Sequence, residues 1–142
     1  MIEKILLPID LQETRLARKA VDFASEEALR HGAELFVLTV LPGFGMPLVA
    51  SFFPDSAMEK ATKEVAKALR AYVAETFAAG IRTVPLVAQG NPAEQIAGQA
   101  GRLGVDLIVI PSHAKGLEKT LLGSCASRVV QLADCSVMVV KG

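Results

Sequence analysis

The stretch that decides the fold runs from Val105 to Ser124 and reads VDLIVIPSHAKGLEKTLLGS. Val105 to Ile110 is a short apolar run centred on Val and Ile, the pattern of a strand buried on both faces in a parallel sheet. Pro111 ends it, and Ser112, His113, Ala114, Lys115 and Gly116 that follow are small or polar. After an eight-residue spacer from Ala114 comes the step Gly123-Ser124, then Cys125 and a helical pattern opening at Ala126. The first N–H groups of a helix lack intrahelical acceptors and carry partial positive charge, so a Gly-Ser step there can receive a phosphate. The stretch therefore predicts a strand, a polar loop and an anion-accepting helix start.

Working outward, the rest of the chain repeats the strand-helix theme. Lys4 to Ile9 is a first strand, closing on Pro8, Ile9 and then Asp10. Glu13 to His31 keeps Ala17, Ala20, Val21, Ala24 and Ala28 at three- and four-residue steps, with Gly32 as a terminator, and reads as a helix. Ala33 to Val40 is a second strand. It opens into a segment from Leu41 to Asp55 rich in Pro and Gly, a loop or lid. Ser56 to Ala79 places Val65, Leu69, Tyr72, Val73 and Phe77 on one helical face. Ile81 to Ala88 is a third strand. Asn91-Pro92-Ala93-Glu94 then supplies a cap, a first-turn proline and a glutamate for a helix running to Leu103. After the central stretch, Ala126, Val129, Val130 and Ala133 mark a last helix and Ser136 to Val140 a fifth strand.

Strands alternating with helices of this length predict an α/β fold: one open parallel five-stranded sheet with helices on both faces and right-handed crossovers. Pattern alone leaves two strand orders open, 2-1-3-4-5 and 3-2-1-4-5. In the second, the sheet reverses between the first and fourth strands, and the loops at Asp10 and Ser112 flank one crevice.

Composition excludes several function classes. The 142 residues fit one domain spanning 1–142, with a core large enough to need no disulfide. Fifteen basic and fifteen acidic residues cancel without a block of either sign, which argues against nucleic acid or a charged membrane as partner. Cys125 and Cys135 have no metal or redox spacing and read as small buried side chains in a reduced, cytoplasmic setting. Glu3 and Lys4 interrupt any signal-peptide core, and no run of about 18 apolar residues offers a membrane span. Neither a GxxxxGK[ST] loop nor a GxGxxG turn is present, so the usual NTPase and dinucleotide grips are missing.

Individual residues carry two readings each. Asp10 followed by Glu13 has the spacing of a capping box, and the carboxylate is equally a ligand for a nucleotide-borne magnesium ion. His113 has no carboxylate or serine partner at a recognisable spacing, which favours a surface or phosphate-neighbour residue over a catalytic base. Phe44, Met46, Phe52 and Phe53 suit a partner patch, a cover for the crevice or a dimer seam.

Three phrases, KILLPIDLQET, QGNPAEQI and DLIVIPSHAKGLEKTLLGSCASRVVQLADCSVMVVK, resemble the universal stress protein family over nearly the whole chain. Its adenine-nucleotide-binding branch carries G-x-x-G, a spacer and G-[ST] at the position of Pro111 to Ser124. Here Pro111 and Ala114 stand in place of the two glycines and the spacer is eight residues, as in a subgroup that keeps LLGS. The resemblance implies the order 3-2-1-4-5 and a homodimer through Ser136 to Val140. It implies ATP, AMP or ADP, with magnesium, held by Pro8 and Ile9 at the end of the first strand, by Asp10 after it and by Val40 at the adenine edge. Ser112, His113 and Ala114 match the first phosphate loop, with Ile110, Pro111 and Lys115 beside it among the nucleotide-binding residues, and Gly123, Ser124 and Cys125 match the second. The function implied is a nucleotide-binding stress-response regulator with an unknown protein partner and little or no hydrolysis. The alternatives are a dimer that no longer binds nucleotide and a slow ATPase.

Overall fold

The structure, a computed structural model, describes residues 1–42, 55–112 and 122–142. His113 to Lys115 and the aromatic residues of the 41–55 segment lie outside them. The strands are β1 (Lys4–Pro8), β2 (Glu34–Leu41), β3 (Thr83–Gln89), β4 (Leu107–Pro111) and β5 (Ser136–Val140). The helices are α1 (Arg18–His31), α2 (Asp55–Thr76), α3 (Pro92–Leu103) and α4 (Ser124–Leu132). All pairings are parallel, and the sheet order is β3-β2-β1-β4-β5.

Strand alternation splits the core into two layers. Ile5, Leu7, Leu35, Val37, Leu107 and Val109 face α1 and α2, meeting Ala20, Val21, Ala24, Leu69 and Val73. Leu6, Phe36, Leu38, Ile108 and Ile110 face α3 and α4, meeting Ala93, Ile96, Ala100, Ala126 and Val129. Right-handed crossovers dictate this division, because the chain winds outward from β1 to β3 and then returns across β1 to β4.

Pro85 settles the strand order that hydrophobic pattern leaves open. The Leu35 N–H donates to the Arg82 carbonyl at 2.8 Å, so even-numbered residues around β3 turn their backbone groups toward β2. Pro85, an odd position in mid-strand, then presents its missing N–H to the outside, which an edge strand tolerates and the middle of a central strand does not.

Several boundaries differ from the sequence expectation. The first helical segment opens as a 3-10 turn, Thr14–Ala17, in which the Leu16 N–H bonds the Glu13 carbonyl at 3.1 Å, and becomes α-helical only at Arg18. β1 stops at Pro8, β3 and β4 begin two residues later than their apolar runs, and α4 begins at Ser124, ahead of its apolar pattern. The Asn91 cap forms as expected, its Oδ1 accepting from the Glu94 N–H at 3.0 Å.

Candidate functional site

The pairing of β1 with β4 runs through Ile5↔Leu107 and Leu6↔Ile108, whereas β1 pairs β2, and β4 pairs β5, over five positions each. Two prolines explain the difference. The Ile9 N–H reaches the Leu38 carbonyl on β2 at 2.8 Å, so odd residues of β1 serve β2 and even ones serve β4. The Ser112 N–H reaches the Val140 carbonyl on β5 at 2.8 Å, so even residues of β4 serve β5 and odd ones serve β1. In this register the next donors of the ladder are the nitrogens of Pro8 and Pro111, and neither carries a hydrogen. The sheet thus loses its cross-links at the carboxyl ends of β1 and β4, where its strand order reverses. Ligands bind at that place in open α/β sheets.

On the β1 side, Ile9 is buried and Asp10 exposed. The Asp10 Oδ1 accepts from the Gln12 N–H at 2.9 Å, and its carbonyl accepts from the Glu13 N–H at 3.0 Å. This local turn replaces the capping box expected from the Asp10 and Glu13 spacing. The side chain is too far before Arg18 to cap α1, whose N-cap is Ala17. One oxygen of the Asp10 carboxylate thus holds the turn at the mouth of the opening.

On the β4 side, Ser112 is buried, and its carbonyl accepts from the Gly123 N–H at 2.6 Å. Gly123 is the N-cap of α4 without a side-chain cap bond, and the Ser127 N–H closes the first turn on its carbonyl at 2.9 Å. The Gly123 amide is therefore committed to Ser112. The N–H groups of Ser124, Cys125 and Ala126 precede the first intrahelical bond, with the exposed Ser124 beside them. Gly123 has φ −63°, open to any residue, so its glycine identity is not a demand of backbone torsion. Cys125 is half-buried, and burial raises its thiol pKa; the neutral thiol does not repel an anion there. Cys135 is also half-buried rather than fully buried.

Val40, half-buried, pairs with Ala88 near the end of β2. Sequence reading missed its neighbour Thr39. This buried hydroxyl donates to the Ile9 carbonyl at 2.7 Å and keeps the chain beyond Pro8 tied to β2. Its signal is a lone hydroxyl inside the apolar run AELFVLTV. The structure thus gathers Pro8, Ile9, Asp10, Ile110, Pro111, Ser112, Gly123, Ser124 and Cys125 around the opening, with Val40 on the next strand. Two grooves lined by described residues lie elsewhere, one along α2 and Gln89, the other between α1 and β5.

The sequence matches the model of the Universal stress protein family over residues 1–141. The chain belongs to that family. A universal stress protein of Methanocaldococcus jannaschii, MJ0531, is 35% identical over 144 residues, covering 99% of this chain and 83% of the relative. Among solved structures, that of MJ0577 from the same organism superposes with a TM-score of 0.81 at 28% identity, covering 99% of this chain and 96% of that one. The universal stress protein from Archaeoglobus fulgidus, solved in complex with dAMP, superposes with a TM-score of 0.63 at 25% identity and covers 98% of each chain. The five-stranded sheet of this universal stress protein, in the order 3-2-1-4-5, is that of its relatives.

Proposed function

We propose that this universal stress protein is an adenine-nucleotide-binding regulator that works as a homodimer and turns over little or no ATP. The observation that carries the reading is the proline-opened gap between β1 and β4, flanked by the Asp10 turn and the α4 N-terminus. The phosphates lie against the N–H groups of Ser124, Cys125 and Ala126 and the Ser124 hydroxyl, where the helix dipole favours anions. Ser112, at the end of β4, stands on the facing side, and the adenine reaches Val40 past Pro8 and Ile9. The dAMP complex of the Archaeoglobus fulgidus relative supports an adenine nucleotide.

Asp10 suits magnesium only in company. One carboxylate oxygen holds the Gln12 amide, and the described residues contain no group of three or more His, Cys, Asp or Glu that could hold a metal. The ion arrives with the nucleotide, whose phosphates supply its other oxygens. Little or no turnover accords with the described residues, among which no histidine stands at the gap. His31, bonded to Glu27 at 3.1 Å, sits at the C-terminal end of α1, the far end of the sheet from the gap. The reduced, cytoplasmic setting read from the cysteines belongs to the same proposal. No helix among the described residues is long and apolar enough to cross a membrane.

A second reading, a dimer that has given up nucleotide, draws on Pro111. The proline that opens the sheet also lacks the N–H that a glycine would offer a phosphate. Acid extraction of the purified protein, followed by chromatography of the extract, separates the two. The proposal expects an adenine nucleotide, or a rise in melting temperature on adding ATP, ADP or AMP. Neither effect at millimolar nucleotide leaves the second reading standing.

A further inference from the structure

Beyond the end of β1, a side chain interrupts the ladder that joins it to β2. The last regular bond runs from the Ile9 N–H to the Leu38 carbonyl at 2.8 Å. Continued in the same register, the ladder would next carry the Val40 N–H to the Ile9 carbonyl, and then a later amide to the Val40 carbonyl. Neither bond forms among the described residues. The Thr39 hydroxyl takes the Ile9 carbonyl instead, at 2.7 Å. Thr39 shares its face of the sheet with Leu35 and Val37, so this bond draws the carbonyl toward the α1 layer and out of line with the Val40 N–H. On its other edge β2 stays paired to the end, the Gly90 N–H donating to the Leu41 carbonyl at 2.9 Å. Half-buried Val40 therefore keeps a free N–H and a free C=O on the edge that β1 has left.

We propose that Thr39 is a positioning residue for the nucleotide base: by holding the Ile9 carbonyl it keeps the Val40 donor and acceptor free, and so sets a preference for adenine over the oxopurines hypoxanthine and guanine. This rests on the adenine-nucleotide reading above. In an extended residue the N–H and C=O point to one edge of the strand, a donor beside an acceptor. Adenine presents the complement, a ring nitrogen that accepts beside an amino group that donates. The oxopurines present the reverse, a ring N–H beside a carbonyl, so donor meets donor and acceptor meets acceptor, and polar groups left unpaired in this way are costly. Buried Thr39 acts on the base only through Ile9, to which its hydroxyl is committed. A valine in its place keeps the branched shape and loses the donor, which frees the Ile9 carbonyl to compete with the base for the Val40 N–H.

Calorimetric titration with ATP and with ITP, its hypoxanthine counterpart, reads the preference. The parent should favour ATP by about tenfold or more. Thr39→Val should shrink the ratio of the two affinities by about fivefold or more, and Thr39→Ser, which restores the hydroxyl, should recover it. A merely loosened site weakens both nucleotides alike; ATP binding with the ratio unchanged in Thr39→Val overturns the role of Thr39 and leaves the nucleotide reading standing. Hydrogen exchange in the nucleotide-free protein is the second measurement. The Val40 amide should exchange faster than the laddered amides of Leu38 and Leu41, and more slowly in Thr39→Val than in the parent. A Val40 amide as protected as those neighbours in the parent overturns the role directly. A parent that binds neither ATP nor ITP removes the nucleotide reading and the base preference with it.

Discussion

The Gly123 amide donates to the Ser112 carbonyl at 2.6 Å, while the Ser112 amide donates to the Val140 carbonyl at 2.8 Å. One buried residue thus ties the start of α4 to the end of β5. A ligand pulling on the helix start is felt one hydrogen bond from the sheet edge. Nucleotide should therefore slow hydrogen exchange at the Ser112 and Gly123 amides, and at Val140, more than at α2. Exchange measured by mass spectrometry or NMR with and without ATP checks this; equal slowing everywhere would mean global stabilisation alone.

Restoring a donor at the prolines should close the gap. Pro111→Ala supplies an N–H facing Pro8, and Pro8→Ala one facing β4, so the double variant can extend the ladder by two rungs. We expect a melting temperature unchanged or higher and nucleotide affinity at least tenfold lower. Isothermal titration beside thermal unfolding separates the two effects, and tighter binding in the double variant would show that the prolines do not make the opening.

Ligand linkage gives the third test. At a hundred times the dissociation constant a nucleotide stabilises the folded protein by about 2.7 kcal/mol. Ser124→Pro keeps helix geometry at the first position but deletes an N–H and the hydroxyl, and should remove most of that gain. Asp10→Ala should reduce it chiefly with magnesium present. Scanning calorimetry with and without magnesium reads both variants.

Thr39→Val isolates the hydroxyl that holds Ile9. Losing its 2.7 Å bond leaves a carbonyl without that partner beside the opening, at a cost of about 1–3 kcal/mol. Urea unfolding should show this loss, and nucleotide binding should weaken because Asp10 follows Ile9 directly. A variant as stable as the parent would mean that water replaces the hydroxyl.

Acid sensitivity should trace to Asp106, at the opposite end of β4. Its carboxylate accepts from the Glu3 N–H at 2.8 Å and the Lys4 N–H at 3.1 Å, and these backbone bonds hold its pKa below the ordinary carboxylate value. Its contribution to stability is present above the unfolded-state pKa of about 3.9 and is lost as pH falls through the lower folded value. Asp106→Asn should flatten this part of the pH-stability curve below about pH 4. NMR titration of the Glu3 and Lys4 amides locates the folded pKa directly.

Hydrophobic rhythm in the sequence determined the elements of this protein, because a strand buried on both faces, such as LIVI, and a helix with alanines at three- and four-residue steps each have few other ways to hide apolar surface. Pro85 fits the edge position of β3, but only the register with β2 shows that its missing N–H faces outward. What the tertiary structure alone decided is which missing donors face each other. Pro8 and Pro111 are more than a hundred residues apart, and either one by itself is simply a strand end. Only the register Leu6↔Ile108 sets both at the same rungs of one ladder and turns two local chain breaks into an opening. The turn at Asp10 was decided in the same way. Its spacing to Glu13 fits a helix cap, but Thr14–Ala17 winds as a 3-10 turn, so the carboxylate bonds Gln12 at the crevice mouth rather than the helix. Local chemistry proposes such partners, and the fold selects among them, because a hydrogen bond forms with whichever donor the packed backbone brings within reach.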